Sequence, residues 1–238
     1  MMVPSCSRKW FCIVSFVALS STAVAESPSG LWQFSVHLDD AEVGYHEVRI
    51  VEQGEHLLAT SRVAITVKVL FFEAYRYEHE AREVWRQGCL EAIESQTDDN
   101  GKTHAVNGER QGDQFSIEAQ HGHATLPACP MSFAYWNPAI LNRAKLLNAQ
   151  SGEYMNVEIH YAGEQRVAVN GNHVKVRRYE LSMAGRQLAV WYDLDGRWLG
   201  LEAQVEEGRK LRYVPKNWPR IPEALARWDD DVGGHGGS

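Results

Sequence analysis

Residues 63–86 read VAITVKVLFFEAYRYEHEAREVWR, and their alternation decides the fold. Val63, Ile65, Val67, Val69 and Phe71 fall on one side of an extended chain, and Tyr75, Tyr77, His79, Ala81, Glu83 and Trp85 repeat the pattern. Between the members of that second set lie Arg76, Glu78, Glu80, Arg82, Val84 and Arg86, nearly all charged. Successive side chains of a strand point to opposite faces. A period of two with one charged side therefore predicts an antiparallel sheet that meets water on that side.

The same period continues in both directions. Upstream, Trp32, Phe34, Val36 and Leu38 alternate with Gln33, Ser35 and His37. Downstream, strands are expected over 154–161, 165–169, 173–181, 187–194, 198–205 and 210–214. Turn residues separate the runs: Asp39-Asp40, Gln53-Gly54, Asn107-Gly108, Asn170-Gly171, Asp195-Gly196 and, most strongly, Asp98-Asp99-Asn100-Gly101. Asn-Gly tolerates the positive φ of a tight hairpin turn. In the Asp195-Gly196 turn, Asp193 is expected to accept turn N–H groups and Arg197 to pair with Asp193 or Asp195, which are structural tasks. The reading is all-β, and the absence of βαβ alternation argues against a nucleotide-binding parallel sheet.

One segment departs from the alternation. Residues 130–147, PMSFAYWNPAILNRAKLL, place Phe133, Tyr135 and Trp136 before Asn137, a good cap, and Pro138, which suits a first helical position. Ile140, Leu141, Ala144 and Leu147 recur at helical spacing, which predicts an aromatic loop feeding one short helix near residues 138–147.

The ends carry other information. Arg8 and Lys9 precede an uncharged stretch from Trp10 to Ala25 that closes on Ala23-Val24-Ala25, the layout of a signal peptide cleaved after Ala25. At about 16 residues, that stretch is too short to span a membrane comfortably. We expect export to the periplasm, a single β domain over 26–218 with no membrane-spanning segment, and a flexible acidic, Gly-rich tail over 219–238. Losing residues 1–25 leaves 22 basic against 31 acidic side chains, an unsuitable charge balance for nucleic acid. Cys6 and Cys12 leave with the leader, so Cys89 and Cys129 are expected to pair in the oxidising compartment. Such a bridge is worth about 4 kcal/mol by chain entropy.

The run 188–202, LAVWYDLDGRWLGLE, with Tyr75-Arg76-Tyr77-Glu78-His79 and Ser132-Phe133-Ala134-Tyr135-Trp136-Asn137, resembles the exported bacterial DUF6134-type family of unknown function. It is also loosely similar to DUF3108-like β proteins. The resemblance spans roughly Leu31 to Val214 and implies a strongly curved antiparallel sheet or incomplete β-barrel, with a helix plugging or covering its concave side. It carries no catalytic residues.

Three constellations could bear chemistry. His79 and Glu83 share a strand face with Tyr75, Tyr77 and Trp85; lining an aromatic cavity, they could orient a polar ligand head or act as acid and base. His121 and His123, with His104 nearby, could hold copper or zinc, although no carboxylate or sulfur is fixed beside them. Hydrolase signatures such as Gly-x-Ser-x-Gly and His-Glu-x-x-His are missing from the sequence. The leading expectation is a periplasmic binding or carrier protein for an apolar small molecule, lipid or isoprenoid-like, without a cofactor. Its ligand would lie in the concave face, with Phe133, Tyr135 and Trp136 as a mobile rim over Tyr75, Tyr77, His79, Glu83 and Trp85. The alternative is a structural or interaction module whose exposed aromatic loop contacts an envelope protein.

Overall fold

The computed structural model describes residues 29–69, 72–169, 171–205, 208–223 and 225. The leader, Phe71, Asn170 and residues 226–238 of the tail lie outside the described residues. Among the described residues, fifteen strands follow in chain order: β1 (Gly30–Leu38), β2 (Ala41–Gln53), β3 (His56–Val69), β4 (Phe72–Arg86), β5 (Cys89–Asp99), β6 (Lys102–Gln111), β7 (Gln114–Ala119), β8 (Gly122–Pro127), β9 (Lys145–Leu147), β10 (Tyr154–Asn156), β11 (Glu158–Val169), β12 (Asn172–Met183), β13 (Arg186–Asp193), β14 (Trp198–Gln204) and β15 (Lys210–Pro215). Thirteen of them form one antiparallel sheet in the order β11-β12-β13-β14-β15-β1-β2-β3-β4-β5-β6-β7-β8, and β9 and β10 pair separately. Two meanders, β1–β8 and β11–β15, thus meet at a single seam where β1 pairs with β15, Phe34 opposite Pro215.

The turns obey the local chemistry in most places. Asn100 and Gly101 both adopt positive φ, 51° and 86°, and close the β5–β6 hairpin as expected. Asn107-Gly108 is no turn; it lies inside β6. Gly108 is needed there because a Cβ would come within 2.6 Å of the Phe115 ring, so the glycine marks a close approach rather than a bend. The β6–β7 turn falls instead at Gly112, with φ of 63°.

The sheet is open, which corrects the expected curvature. β8 and β11 stand at opposite ends of the strand order, and the thirteen strands neither close into a barrel nor curl strongly. Alternation dictates which side chains face inward but carries no information on closure. The chain covers its apolar face by another route: Met131, Ala134, Trp136, Ile140, Leu146 and Leu147, between β8 and β10, are all buried in the main core with Trp32, Phe34, Ile50, Trp85, Phe115, Val190 and Trp198 from the sheet.

The expected helix is also corrected. Asn137 does cap, its Oδ1 accepting from the Ala139 N–H at 3.0 Å, but Pro138–Asn142 form a single 3₁₀ turn of five residues. Arg143 is already extended, and Lys145–Leu147 become β9, paired with β10. Of the apolar residues read as a helical stripe, Ile140 and Leu147 are buried from a 3₁₀ turn and a strand instead, Leu141 is half-buried and Ala144 is exposed. Cys89 and Cys129 form a disulfide that fixes the entrance of this covering segment to the start of β5. Packing on the core continues through Ile221 and Leu225. Among the described residues, no helix is long and apolar enough to cross a membrane.

Candidate functional site

The β4 alternation is seen directly: Ala81, Glu83 and Trp85 are buried, Tyr75, Tyr77 and His79 are half-buried, and Arg76, Glu78 and Arg82 are exposed. The structure therefore divides the expected site residues between two environments. Glu83 and Trp85 lie beneath the covering segment. Tyr75, Tyr77 and His79 lie beyond it, on the part of the same face that it leaves half open.

The covered part is filled by the protein's own side chains. Trp136, only 4% exposed, meets Trp85 edge-on with ring centroids 5.6 Å apart. Tyr135 packs on Trp198 at 5.3 Å, and its carbonyl accepts a 2.7 Å hydrogen bond from the Tyr192 hydroxyl. Phe133 is half-buried against the same core. Trp136 is therefore a core residue rather than part of an exposed rim, while Phe133 and Tyr135 are partly buried beside it. Glu83 accepts from the Trp85 indole N–H at 2.9 Å. Burial pushes its carboxyl up, opposed by Ser132 and Trp85, although the buried Ser132 hydroxyl makes no hydrogen bond of good geometry.

The open part is a different chemical setting. Val36, Val63 and Ile65 form a small core of their own, flanked by the partly buried Val43, Val67, Tyr77, Leu211 and Tyr213. Strand register aligns Phe34, His46, Val63, His79, Thr97 and His104 in one row across β1 to β6. His79 Nδ1 meets Thr97 Oγ1 at 2.8 Å, and His46 Nε2 meets Ser61 Oγ at 2.8 Å. Burial lowers His46 to about 3, with His79 pushing the same way, and burial lowers His79 to about 4. Both rings are neutral at physiological pH. The Tyr75 hydroxyl donates to Asp99 at 2.8 Å, and the Tyr77 hydroxyl reaches Gln150 at 3.4 Å. Burial raises the Tyr213 phenol to about 12. The result is an apolar strip edged by the neutral hydrogen-bonding groups of His46, His79, Thr97 and Tyr77, with Asp99 beside Tyr75.

Sequence reading missed His46, Ser61, Thr97, Gln150 and Tyr213. A signal for His46 existed: Gly44, His46, Val48 and Ile50 alternate in β2, which places the ring on the apolar side. His46 sits edge-on to Tyr213 and Trp198, at 5.3 and 5.6 Å, and its Nδ1 has no hydrogen-bond partner. Gln150 carries no such mark, because the turn that holds it reaches β4 only through the path of the covering segment.

Of the remaining candidates, His104 and His121 line one small depression with Gln120, Gln150 and Ser151, and His123 does not join them. His121 lies in the turn before β8, His123 Nε2 contacts Ser116 Oγ at 2.8 Å, and His104 Nδ1 contacts Gln120. Among the described residues, no three His, Cys, Asp or Glu side chains converge as a metal site. A depression of about 540 Å³ lies beside Tyr45, Arg62, Glu78, Glu80, Gln96 and Asp98 of the charged face, open to solvent, and Val63, His79, Thr97 and His104 also line it. Its charges are occupied by Arg62–Glu80 and Arg76–Glu78 pairs at 3.3 and 2.7 Å. The turn at Gly196 is structural, with Arg197 donating to both Asp193 and Asp195 at 2.8 and 2.6 Å.

Fold and site together define an open antiparallel β-sheet protein whose apolar face is half covered by a disulfide-anchored segment. The chain belongs to the family described as "Domain of unknown function (DUF6134)", matched over residues 34–216. No curated protein matches it. Among solved structures, it is similar to a "Beta-barrel-like Protein of Domain of Unknown Function DUF1849 from Brucella abortus", with 9% identity, a TM-score of 0.57, and coverage of 84% of this chain and 99% of that one. At that identity the likeness concerns the fold alone, and the barrel-like description is of that protein.

Proposed function

We propose that this chain is an exported binding or carrier protein for an apolar small molecule, lipid or isoprenoid-like. The ligand lies on the uncovered part of the inner face, against Val67, Tyr75, Tyr77, Leu211 and Tyr213, with His79 and Thr97 at its polar margin. The reading is carried by one observation: the apolar face continues past the covering segment as a strip of half-buried residues around Val36, Val63 and Ile65. Ligand sites are mostly apolar, with a few polar groups that fix orientation, and the neutral histidines and tyrosine hydroxyls supply such groups without an uncompensated charge. Periplasmic placement rests on the leader read in residues 1–25.

Organic extraction of purified protein followed by mass spectrometry tests the proposal, together with titration of a fluorescent fatty acid. The expected result is a stoichiometric apolar compound and saturable probe binding that weakens at least tenfold in Tyr77→Arg. An empty extract with no saturable binding overturns it.

A further inference from the structure

An open sheet has two edges, and here they are built differently. β11 is twelve residues long, exposes Glu158, Glu164 and Arg166, and has a register shift between Tyr161 and Gly163. Charge and bulges discourage an edge from accepting another strand. β8 has neither device. Its six residues, GHATLP, include no Asp, Glu, Lys or Arg, keep unbroken register with β7, and are exposed at every position except Leu126.

Pro127 reveals which backbone groups of β8 face outward. It pairs with Gln114 but has no N–H, so that pair is not one of those that exchange hydrogen bonds. Bonded and non-bonded pairs alternate in an antiparallel ladder. Phe115–Leu126, Ile117–Ala124 and Ala119–Gly122 are therefore the bonded pairs within the hairpin. The N–H and C=O groups of His123 and Thr125, and the carbonyl of Pro127, point away from β7.

We infer that β8 is a docking edge for a second copy of this chain, joined through an antiparallel β8–β8 pair centred on Thr125. In that register, Thr125 of one copy exchanges two hydrogen bonds with Thr125 of the other. His123 N–H of each copy donates to the Pro127 carbonyl opposite. All four outward donors of the two six-residue strands are then satisfied, and the missing proline donor falls where the strand ends. Side chains agree with this register: Ala124 faces Leu126 across the pair, extending the apolar face, and no like charges oppose one another. β8 is short and its proline blocks only the strand end, and the charge-free sequence before it is complementary to itself.

Sedimentation velocity of the purified chain over roughly 1 μM to 1 mM tests the inference, a range suited to a small interface. The expected result is a reversible rise from the mass of one chain to that of two. Thr125→Pro removes an outward donor without touching the β7 ladder, so it should weaken the dimer at least tenfold with an unchanged Tm. Ala124→Pro removes a donor used inside the hairpin and should lower Tm, which checks the assignment of inward and outward groups. Thr125→Lys is the second interface variant; it places two ammonium groups face to face, and its loss of dimer should be relieved at high salt. A single-chain mass across the whole range overturns the inference, even if β8 captures a strand of some other protein. So does a dimer that both Thr125 variants leave intact.

Discussion

The two parts of the inner face share one sheet and one alternation, yet they reach opposite chemical states. Beneath the covering segment, Trp85, Leu90, Ile140, Leu146 and Leu147 are fully buried, and the one acid among them, Glu83, is held by an indole N–H. Beyond it, Tyr75, Tyr77 and His79 remain half-buried, and burial keeps His46 and His79 at the border neutral. A strand pattern specifies which residues turn inward. What those residues become depends on whether a further piece of chain reaches them. Here residues 130–157 pack over the end of β4 that carries Trp85, and toward the end that carries Tyr75 their Gln150 accepts a hydrogen bond from Tyr77.

The largest effect is expected from removing the ring that joins cover to sheet. Trp136→Ala should destabilise the fold by about 3–5 kcal/mol, as expected when a large buried aromatic leaves a cavity. Urea unfolding measures this, and a cost below about 1 kcal/mol would show that the segment lies on the sheet without holding it. Next in size is the disulfide. Replacing Cys89 and Cys129 by Ser should cost about 2–4 kcal/mol, concentrated on the covered part. Hydrogen exchange should then quicken in residues 130–147 while 188–205 change little; uniform acceleration would mean that the bridge supports both parts equally.

Acid should separate the two parts by sign. His46 and His79 titrate lower in the folded protein than in the unfolded chain, so the unfolded state takes up protons first as pH falls below about 6.5. Their contribution to stability is complete above that pH and is lost as pH falls toward about 4 for His79 and about 3 for His46, by up to about 1.4 kcal/mol per pH unit for each group. Glu83 acts in the opposite direction: its raised folded pKa makes acidification favourable to the folded state until the unfolded carboxyl is protonated as well. Stability measured from pH 7 to 4 should fall less steeply in His79→Gln and more steeply in Glu83→Gln. Equal slopes in both variants would remove the distinction. The smallest effect is expected for Tyr77→Phe. Its hydroxyl reaches Gln150 at only 3.4 Å, so the change in unfolding free energy should stay within about 0.5 kcal/mol. A larger loss would show that the contact with Gln150 ties the open part to the covering segment.

Much of this was legible in the residues, and the failures have definite causes. The long β4 alternation, the Asn100-Gly101 turn and the Cys89–Cys129 pair each follow from local chemistry or simple arithmetic, and the structure contains all three. Gly108 was misread as a turn because an Asn-Gly dipeptide looks the same whether glycine frees φ or makes room for Phe115. The segment 138–147 has a helical stripe because Ile140 and Leu147 both face a core, but the β9–β10 pairing that claims Lys145–Leu147 is specified seven residues or more downstream. Trp136 is the instructive case. An aromatic run beside a disulfide suits an exposed rim or a buried plug equally well, and only Trp85, on a distant strand, decides between them.

The seam between β1 and β15 has a consequence for how the molecule is made. Every other junction in the large sheet joins neighbouring segments of the chain, whereas this one joins residues such as Val36 and Tyr213. Contacts between such remote segments incur the largest loop-closure entropy and tend to form late. Each meander can zip by successive hairpins, leaving β1 and β15 as temporary edges lined with Phe34, Val36 and Leu211 until they find one another. Both strands also bring their outer ends to the same side of the sheet, Gly30 and Pro215. A circular permutant that tethers those ends and reopens the chain elsewhere would convert the slowest encounter of folding into one more hairpin.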